Sequence, residues 1–255
     1  MKGMIAVVKK DWKSLFFTPM AYVILGAYAL MMGFYYTILT YAYMRNSGRG
    51  GFGEQASLDM ITGSLLHANS YIISFAIPFL TMYTFAGEKR QQTFELLFTS
   101  PIKLGELVAA KFLGVFGLIM IFLSLSIVYF GFLFAWGNPE LNVVLSGMLG
   151  LVLLCANYVA LGVLISSFFS TPVLAAVVGF FLMLILWVLP SVGQLIYFKF
   201  LGIEIGPFLA YLTPQGHFKP FVDGIIYAKH VWFYLSSTVL LLFLTSKVVE
   251  SNRWR

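Results

Sequence analysis

Residues 141–198 contain no Asp, Glu, Lys or Arg. As one helix this stretch would measure roughly 87 Å at about 1.5 Å per residue, whereas the hydrocarbon core of a bilayer is about 30 Å thick. The segment must therefore cross twice and reverse once. Ser166-Ser167-Phe168-Phe169-Ser170-Thr171-Pro172 supplies the reversal, because hydroxyls and a proline interrupt the apolar run there. The rest of the chain has the same character. Of its 255 residues, 60% are hydrophobic and 10% are charged, and long apolar runs of about 20 residues are membrane spans.

Six spans are expected, at about 20–43, 68–86, 104–135, 141–168, 172–196 and 231–248. Backbone polar groups can be satisfied in lipid only by helices or closed barrels, and these runs are too long and too little alternating for barrel strands. The expected fold is therefore an all-α integral membrane protein forming one transmembrane domain over 1–255. A loop at 45–66 joins the first two spans. A short turn at Gly137-Asn138-Pro139-Glu140 joins the third and fourth. The segment 197–230, with Gly202, Gly206, Pro207, Pro214, Gly216 and Pro220, reads as a re-entrant turn or short helices at the outer face.

Residues 3–17 precede the first span. Met4, Ile5, Val8, Trp12, Leu15 and Phe16 form one apolar helical stripe, and Lys9, Asp11 and Lys13 occupy the remainder. Such a helix lies on the cytoplasmic leaflet, with Lys9 and Lys13 near anionic headgroups and Trp12 and Phe16 in the boundary. The simpler alternative is a basic anchor. Ala27-Tyr28-Ala29 imitates a signal cleavage site, but hydrophobicity continues to about residue 44, longer than a signal core. The run is read as a retained span.

The net charge is +6, and its basic residues flank spans, where they set orientation and do not mark a nucleic-acid surface. With the N-terminus inside, eleven Lys and Arg face the cytoplasm: Lys2, Lys9, Lys10, Lys13, Lys89, Arg90, Lys103, Lys111, Lys247, Arg253 and Arg255. Five lie outside: Arg45, Arg49, Lys199, Lys219 and Lys229. Both termini are therefore expected in the cytoplasm of a cytoplasmic (inner) membrane.

Several chemistries are missing. No phosphate-binding G-x-x-x-x-G-K-[ST] loop occurs, nor H-E-x-x-H or G-x-S-x-G. Gly48-Arg49-Gly50-Gly51-Phe52-Gly53 lacks the Lys-Ser/Thr that would follow in a nucleotide loop. Cys155 is alone, so it offers neither disulfide nor thiolate cluster. His67, His217 and His230 fall near the outer face. With Asp223 or Glu204 they could be imagined around a metal, but their spacing fits no ligand pattern. No ionisable residue is expected deep in a span, which argues against an ion-coupled carrier. Asn157 is the main intramembrane polar candidate, as an interhelical hydrogen bond or a substrate contact.

The polar island 88–101, Glu-Lys-Arg-Gln-Gln-Thr-Phe-Glu-Leu-Leu-Phe-Thr-Ser-Pro, stands between two long apolar runs. Phe94, Leu97 and Phe98 share a helical face, while Glu88, Gln91, Gln92 and Glu95 lie largely opposite. Pro101 stops the helix. A short amphipathic helix outside the bilayer is well placed to touch a soluble partner.

Together these features resemble the ABC transporter type-2 permease family over essentially the whole chain, and look closest to its gliding-motility and nitrous-oxide-reductase-accessory branch. The resemblance rests on three places. The first is Phe17-Thr18-Pro19-Met20-Ala21-Tyr22 after the amphipathic N-terminus. The second is the island, where Glu88, Thr93, Glu95, Leu96 or Leu97, Ser100 and Pro101 fit the family pattern and Lys111 fits the lysine opening the next span. The third is His217-Phe218, Phe221, Gly224, Tyr234 and Arg253-Trp254. Gln92 departs from the family's glycine before Thr93, and this implies a more continuous helix.

The resemblance implies the permease subunit of an exporter that binds no cofactor itself. ATP and Mg would sit on a separate ATPase dimer. The implied coupling residues are Glu88, Gln92, Thr93, Phe94, Glu95, Leu96, Leu97, Phe98 and Pro101. The other implied partners are a second permease copy or paralogue, making a dimer, the lipid bilayer, and an accessory membrane protein with a periplasmic domain. Competing readings are a mechanical or assembly complex acting on extracytoplasmic proteins, an ion-coupled carrier or channel, and a membrane enzyme.

Overall fold

A computed structural model describes residues 2–17, 19–47, 54–93, 103–137, 139–195, 199–200, 203–204 and 211–252. Its elements are α1 (Lys2–Phe17), α2 (Pro19–Ser47), α3 (Glu54–Thr81), α4 (Ala86–Arg90), α5 (Leu104–Trp136), α6 (Leu141–Phe168) and α7 (Pro172–Leu195). A two-residue antiparallel ladder follows, β1 (Lys199–Phe200) on β2 (Ile203–Glu204). A 3-10 turn (Pro214–His217), α8 (Lys219–Val222) and α9 (Ala228–Ser251) complete the described chain.

The fold is all-helical at its core, with six stretches long and apolar enough to cross a membrane. Boundaries agree closely with the sequence at α5, α6 and α7. Proline opens both α2 and α7, where its missing N–H costs nothing. The second span differs. Its helix begins at Glu54, well before 68, and ends at Thr81, before 86. Much of the expected 45–66 loop is therefore helix. Polar Glu54, Gln55, Ser57 and Asp59 extend α3 beyond its apolar part, so hydropathy alone placed the start too late.

α6 is the hub. It packs against α3, α5, α7 and α9, and most of its length is buried. In the apolar windows of α3 and α6, 67% and 61% of residues are buried, against 11% in α2 and α9, so the first pair forms the centre. Close approach depends on glycine. A Cβ on Gly147 would meet Leu66 Cδ1 at 2.2 Å, and Leu66 is fully buried in α3. Small residues that let helices approach are how bundles pack in lipid, where apolar burial alone favours no partner.

Two polar clasps join the spans. Tyr28 Oη donates to Asn69 Oδ1 at 2.8 Å, and Asn69 Nδ2 donates to Ser126 Oγ at 2.7 Å. The Tyr28 and Ser126 hydroxyls also bond each other, so α2, α3 and α5 share one closed network. Asn157 Nδ2 donates to Ser237 Oγ at 2.5 Å, tying α6 to α9.

Asn69→Leu removes a donor and an acceptor from the first clasp. It should lower stability in detergent by about 0.6–1.7 kcal/mol, the range of interhelical hydrogen bonds in membrane proteins, measured as a fall in thermal unfolding midpoint.

Candidate functional site

The polar island grows from a built stem. α3 stops at Thr81, where the Met82 N–H closes onto Pro78 O at 3.0 Å, and a turn leads into α4. Ser166, in the last turn of α6, holds that turn. Its Oγ accepts the N–H groups of Phe85 and Ala86, each at 3.1 Å, and donates to Met82 O at 3.2 Å. One donor and two lone pairs are all a hydroxyl has, so Ser166 is fully used. Lys89 Nζ then donates to Ser167 O at 2.5 Å. The residues read from sequence as a mere reversal between spans thus also cap the stem.

The stem ends in a left-handed turn. Gln92 has φ 57°, Gln92 N–H reaches Lys89 O at 3.2 Å, and Thr93 N–H reaches Glu88 O at 3.1 Å. These two bonds are the Schellman closure of a helix, which normally places glycine at the left-handed position. The expectation that Gln92 continues the helix is therefore wrong. The turn survives the loss of glycine because both closing bonds and the caps behind them fix the backbone.

Beside the stem lies a buried charge network. Lys111, in the second turn of α5, is 3% exposed. Its Nζ donates to Glu88 Oε1 at 2.6 Å and to Asp11 Oδ1 at 3.1 Å, and Lys10 Nζ stands 3.9 Å from Glu88 Oε1. No ionisable group is expected deep in a span, and Lys111 lies near the head of α5, but its burial there is not foreseen from the sequence. Lys111 sits in an apolar helix, but α1 folds over it and brings Asp11, while α4 brings Glu88. A lysine inside an apolar run was the visible signal of a partner. Which partner it takes is not legible, since Asp11 is a hundred residues away and read as part of the polar face.

The same contact fixes α1. Trp12 Nε1 donates to Gly114 O at 2.9 Å, and a Cβ on Gly117 would lie 2.4 Å from the Trp12 ring. Trp12 packs edge-on to Phe16. Lys9 and Lys13 remain exposed, as does Phe17. Between α1, the start of α2 and the stem lies a cleft of about 510 Å³. Met20, Ala21, Phe79, Leu80 and Tyr83 make its apolar wall, and Lys10, Asp11, Glu88 and Lys111 its charged one.

Of the residues expected to couple to a partner, Glu88, Gln92 and Thr93 lie together in this stem. Phe94, Glu95, Leu96, Leu97, Phe98 and Pro101 lie outside the described residues, as do Arg253 and Trp254. Asn157 is remote, in the α6–α9 clasp.

At the other end of the bundle, the three histidines do not converge. His217 Nε2 bonds Tyr211 O at 2.8 Å and its Nδ1 bonds His230 Nδ1 at 2.6 Å. A carbonyl only accepts, so His217 carries its proton on Nε2, and His230 Nδ1–H donates to His217 Nδ1. His217 stacks on Phe233 with ring centres 3.8 Å apart. His67 is apart from the pair, edge-on to Phe218. Among the described residues no three His, Cys, Asp or Glu side chains gather as a metal site. Burial pushes His217 below the usual imidazole value, the Tyr211 carbonyl opposes this, and His230 and Lys229 reinforce it.

In a comparison with known families, the model described as ABC-2 family transporter protein matches residues 5–249. No curated protein matches the chain.

Two outcomes test this geometry. Gln92→Gly should stabilise the protein by about 1 kcal/mol, and Gln92→Val should destabilise it by at least as much, because a left-handed residue bearing Cβ costs about 1–2 kcal/mol; thermal unfolding in detergent reads both. The second concerns pH. A histidine with a lowered folded value favours the native state fully above its unfolded value, about 6.5, and loses that contribution as pH falls toward the folded value. The unfolding midpoint should therefore drop between pH 7.5 and 5, and drop less in His217→Gln.

Proposed function

Because the chain belongs to the ABC-2 family of transporter proteins, we propose that it is the permease subunit of an ATP-driven exporter, moved by a separate ATPase through the island 94–101. The observation that carries this reading is the stem. Residues 88–93 leave the bundle in a sharp, doubly closed turn, and the described chain resumes at Lys103, at the head of α5. A force applied between these points reaches α5 directly, α1 through Asp11 and Lys111, and the α6–α7 hairpin through Ser166 and Ser167. Those are the connections a passive membrane subunit needs to turn a partner's closure into movement of its spans.

Chemical energy in this reading comes from outside the chain. ATP and Mg reside on the ATPase dimer, and the permease works beside a second copy or paralogue in a cytoplasmic membrane, with both termini on the ATPase side. The Lys and Arg bias places the island on that side. Phe94, Leu97 and Phe98 form the docking face. Each fully buried side chain of that kind contributes roughly 1.5–3 kcal/mol, while Glu88, Lys89, Arg90 and Glu95 set register more than strength.

Phe94→Asp with Leu97→Asp should abolish copurification of a co-expressed cognate ATPase and remove the permease's effect on its hydrolysis rate. Unchanged association and hydrolysis would dismiss the reading.

A further inference from the structure

We propose that the cleft between α1, α2 and the stem binds the headgroup of an amine-bearing zwitterionic phospholipid, its ammonium on Glu88 and its phosphate on Lys10. The cleft sits at a membrane boundary. Met20 and Ala21 are at the very start of one span, and Phe79 and Leu80 are near the end of α3. Its volume, about 510 Å³, lies inside the range of roughly 300–1,000 Å³ typical of sites for small ligands. One wall is apolar and the other charged, which suits a molecule with an acyl end and an ionic end.

Two groups in the cleft can take a partner, one a buried oxygen and one a solvated ammonium, and they differ in sign. Glu88 is 9% exposed, and its Oε2 is buried with no hydrogen-bond partner among the described residues. Its other oxygen already receives Lys111. A buried carboxylate oxygen requires an N–H or O–H donor. Lys10 is the converse. Its side chain is 67% exposed and its sole ion pair among the described residues is the 3.9 Å contact to Glu88 Oε1, too long for a hydrogen bond. Lys111 and Asp11 satisfy each other and add no net charge. Lys111 is shared with Glu88 Oε1 as well, so what remains open is the second Glu88 oxygen beside the exposed Lys10 ammonium, the mirror image of a phosphoethanolamine headgroup.

That chemistry discriminates among lipids. A trimethylammonium group has no N–H to give Glu88. An anionic headgroup would satisfy Lys10 but would meet Glu88 and Asp11 without a compensating cation of its own. Only a headgroup that carries both a phosphate and a primary ammonium meets both needs at once.

The test uses the full-length protein, purified and offered phosphatidylethanolamine, phosphatidylcholine or phosphatidylglycerol at equal mole fraction, with retained lipid read by native mass spectrometry. Phosphatidylethanolamine should be retained at least about tenfold better than phosphatidylcholine, the scale of one charge-assisted hydrogen bond. Lys10→Glu, on an exposed side chain that leaves the bundle intact, should weaken retention of both lipids, and Glu88→Gln, in protein that still elutes as folded, should bring the two lipids level. Equal retention of the two lipids by the wild type would overturn the proposal. So would preference for phosphatidylglycerol, or phosphatidylethanolamine retention unchanged by Lys10→Glu. No ATPase enters the measurement, so a negative result leaves the permease reading standing.

Discussion

A buried ammonium has to be paired, and Lys111 determines much of what surrounds it. Stripping one partner from a buried ion pair costs about 3–5 kcal/mol, because the remaining charge has neither water nor counter-ion. The two partners come from opposite directions in sequence, Asp11 from the first helix and Glu88 from the stem after the second span. Once Lys111 enters the bundle on α5, α1 must lie across it and α4 must turn back toward it. The Trp12 contact to Gly114 and the bare surface at Gly117 then fix the position of α1 along α5. The charged network therefore defines geometry more than it adds stability, since a well-packed apolar replacement can be equally stable.

The same stem is tied from behind by Ser166 and Ser167, at the end of the most buried helix but one. The bundle's hub and the stem thus share a joint made of one hydroxyl, one carbonyl and one ion triad. Far from this joint, the spans are held by the Tyr28–Asn69–Ser126 network and the Asn157–Ser237 bond. Between those clasps, apart from bonds such as Tyr129 Oη to Ala29 O at 2.8 Å, the contacts are largely apolar and glycine-dependent. Such interfaces can slide or rock with little loss, whereas the joint cannot stretch without exposing a charge. A stiff joint beside compliant spans suits the driven role proposed above.

The six-span layout was legible because it depends on composition along one dimension. A charge-free stretch twice too long for one crossing, proline at the heads of α2 and α7, and the Gly137–Glu140 turn all act locally. The joint was legible only in part. Glu88 and Lys111 are marked in the sequence by their fit to the family pattern, but their pairing joins segments that no periodicity connects. Asp11 looked like surface because helical phase says which residues share a face, not which face is covered. Gln92 misled for a related reason: intrinsic preference disfavours its left-handed backbone, and only the two closing bonds and the caps on α4 override it. The start of α3 was missed because polar residues continue a helix as readily as they form a loop once it has left the apolar layer.

Because Lys111 binds them, α1, α4 and α5 should move as one body. The most direct measurement places spin labels at Lys9 and Gln91, exposed sites on α1 and just beyond α4, in the protein assembled with the ATPase proposed above, and follows their separation with and without nucleotide. The account requires one narrow distance distribution, the same with and without trapped ATP, that broadens when Lys111→Met removes the bridge. A distance that shifts with nucleotide in the otherwise unaltered protein, or that is indifferent to Lys111→Met, would contradict it.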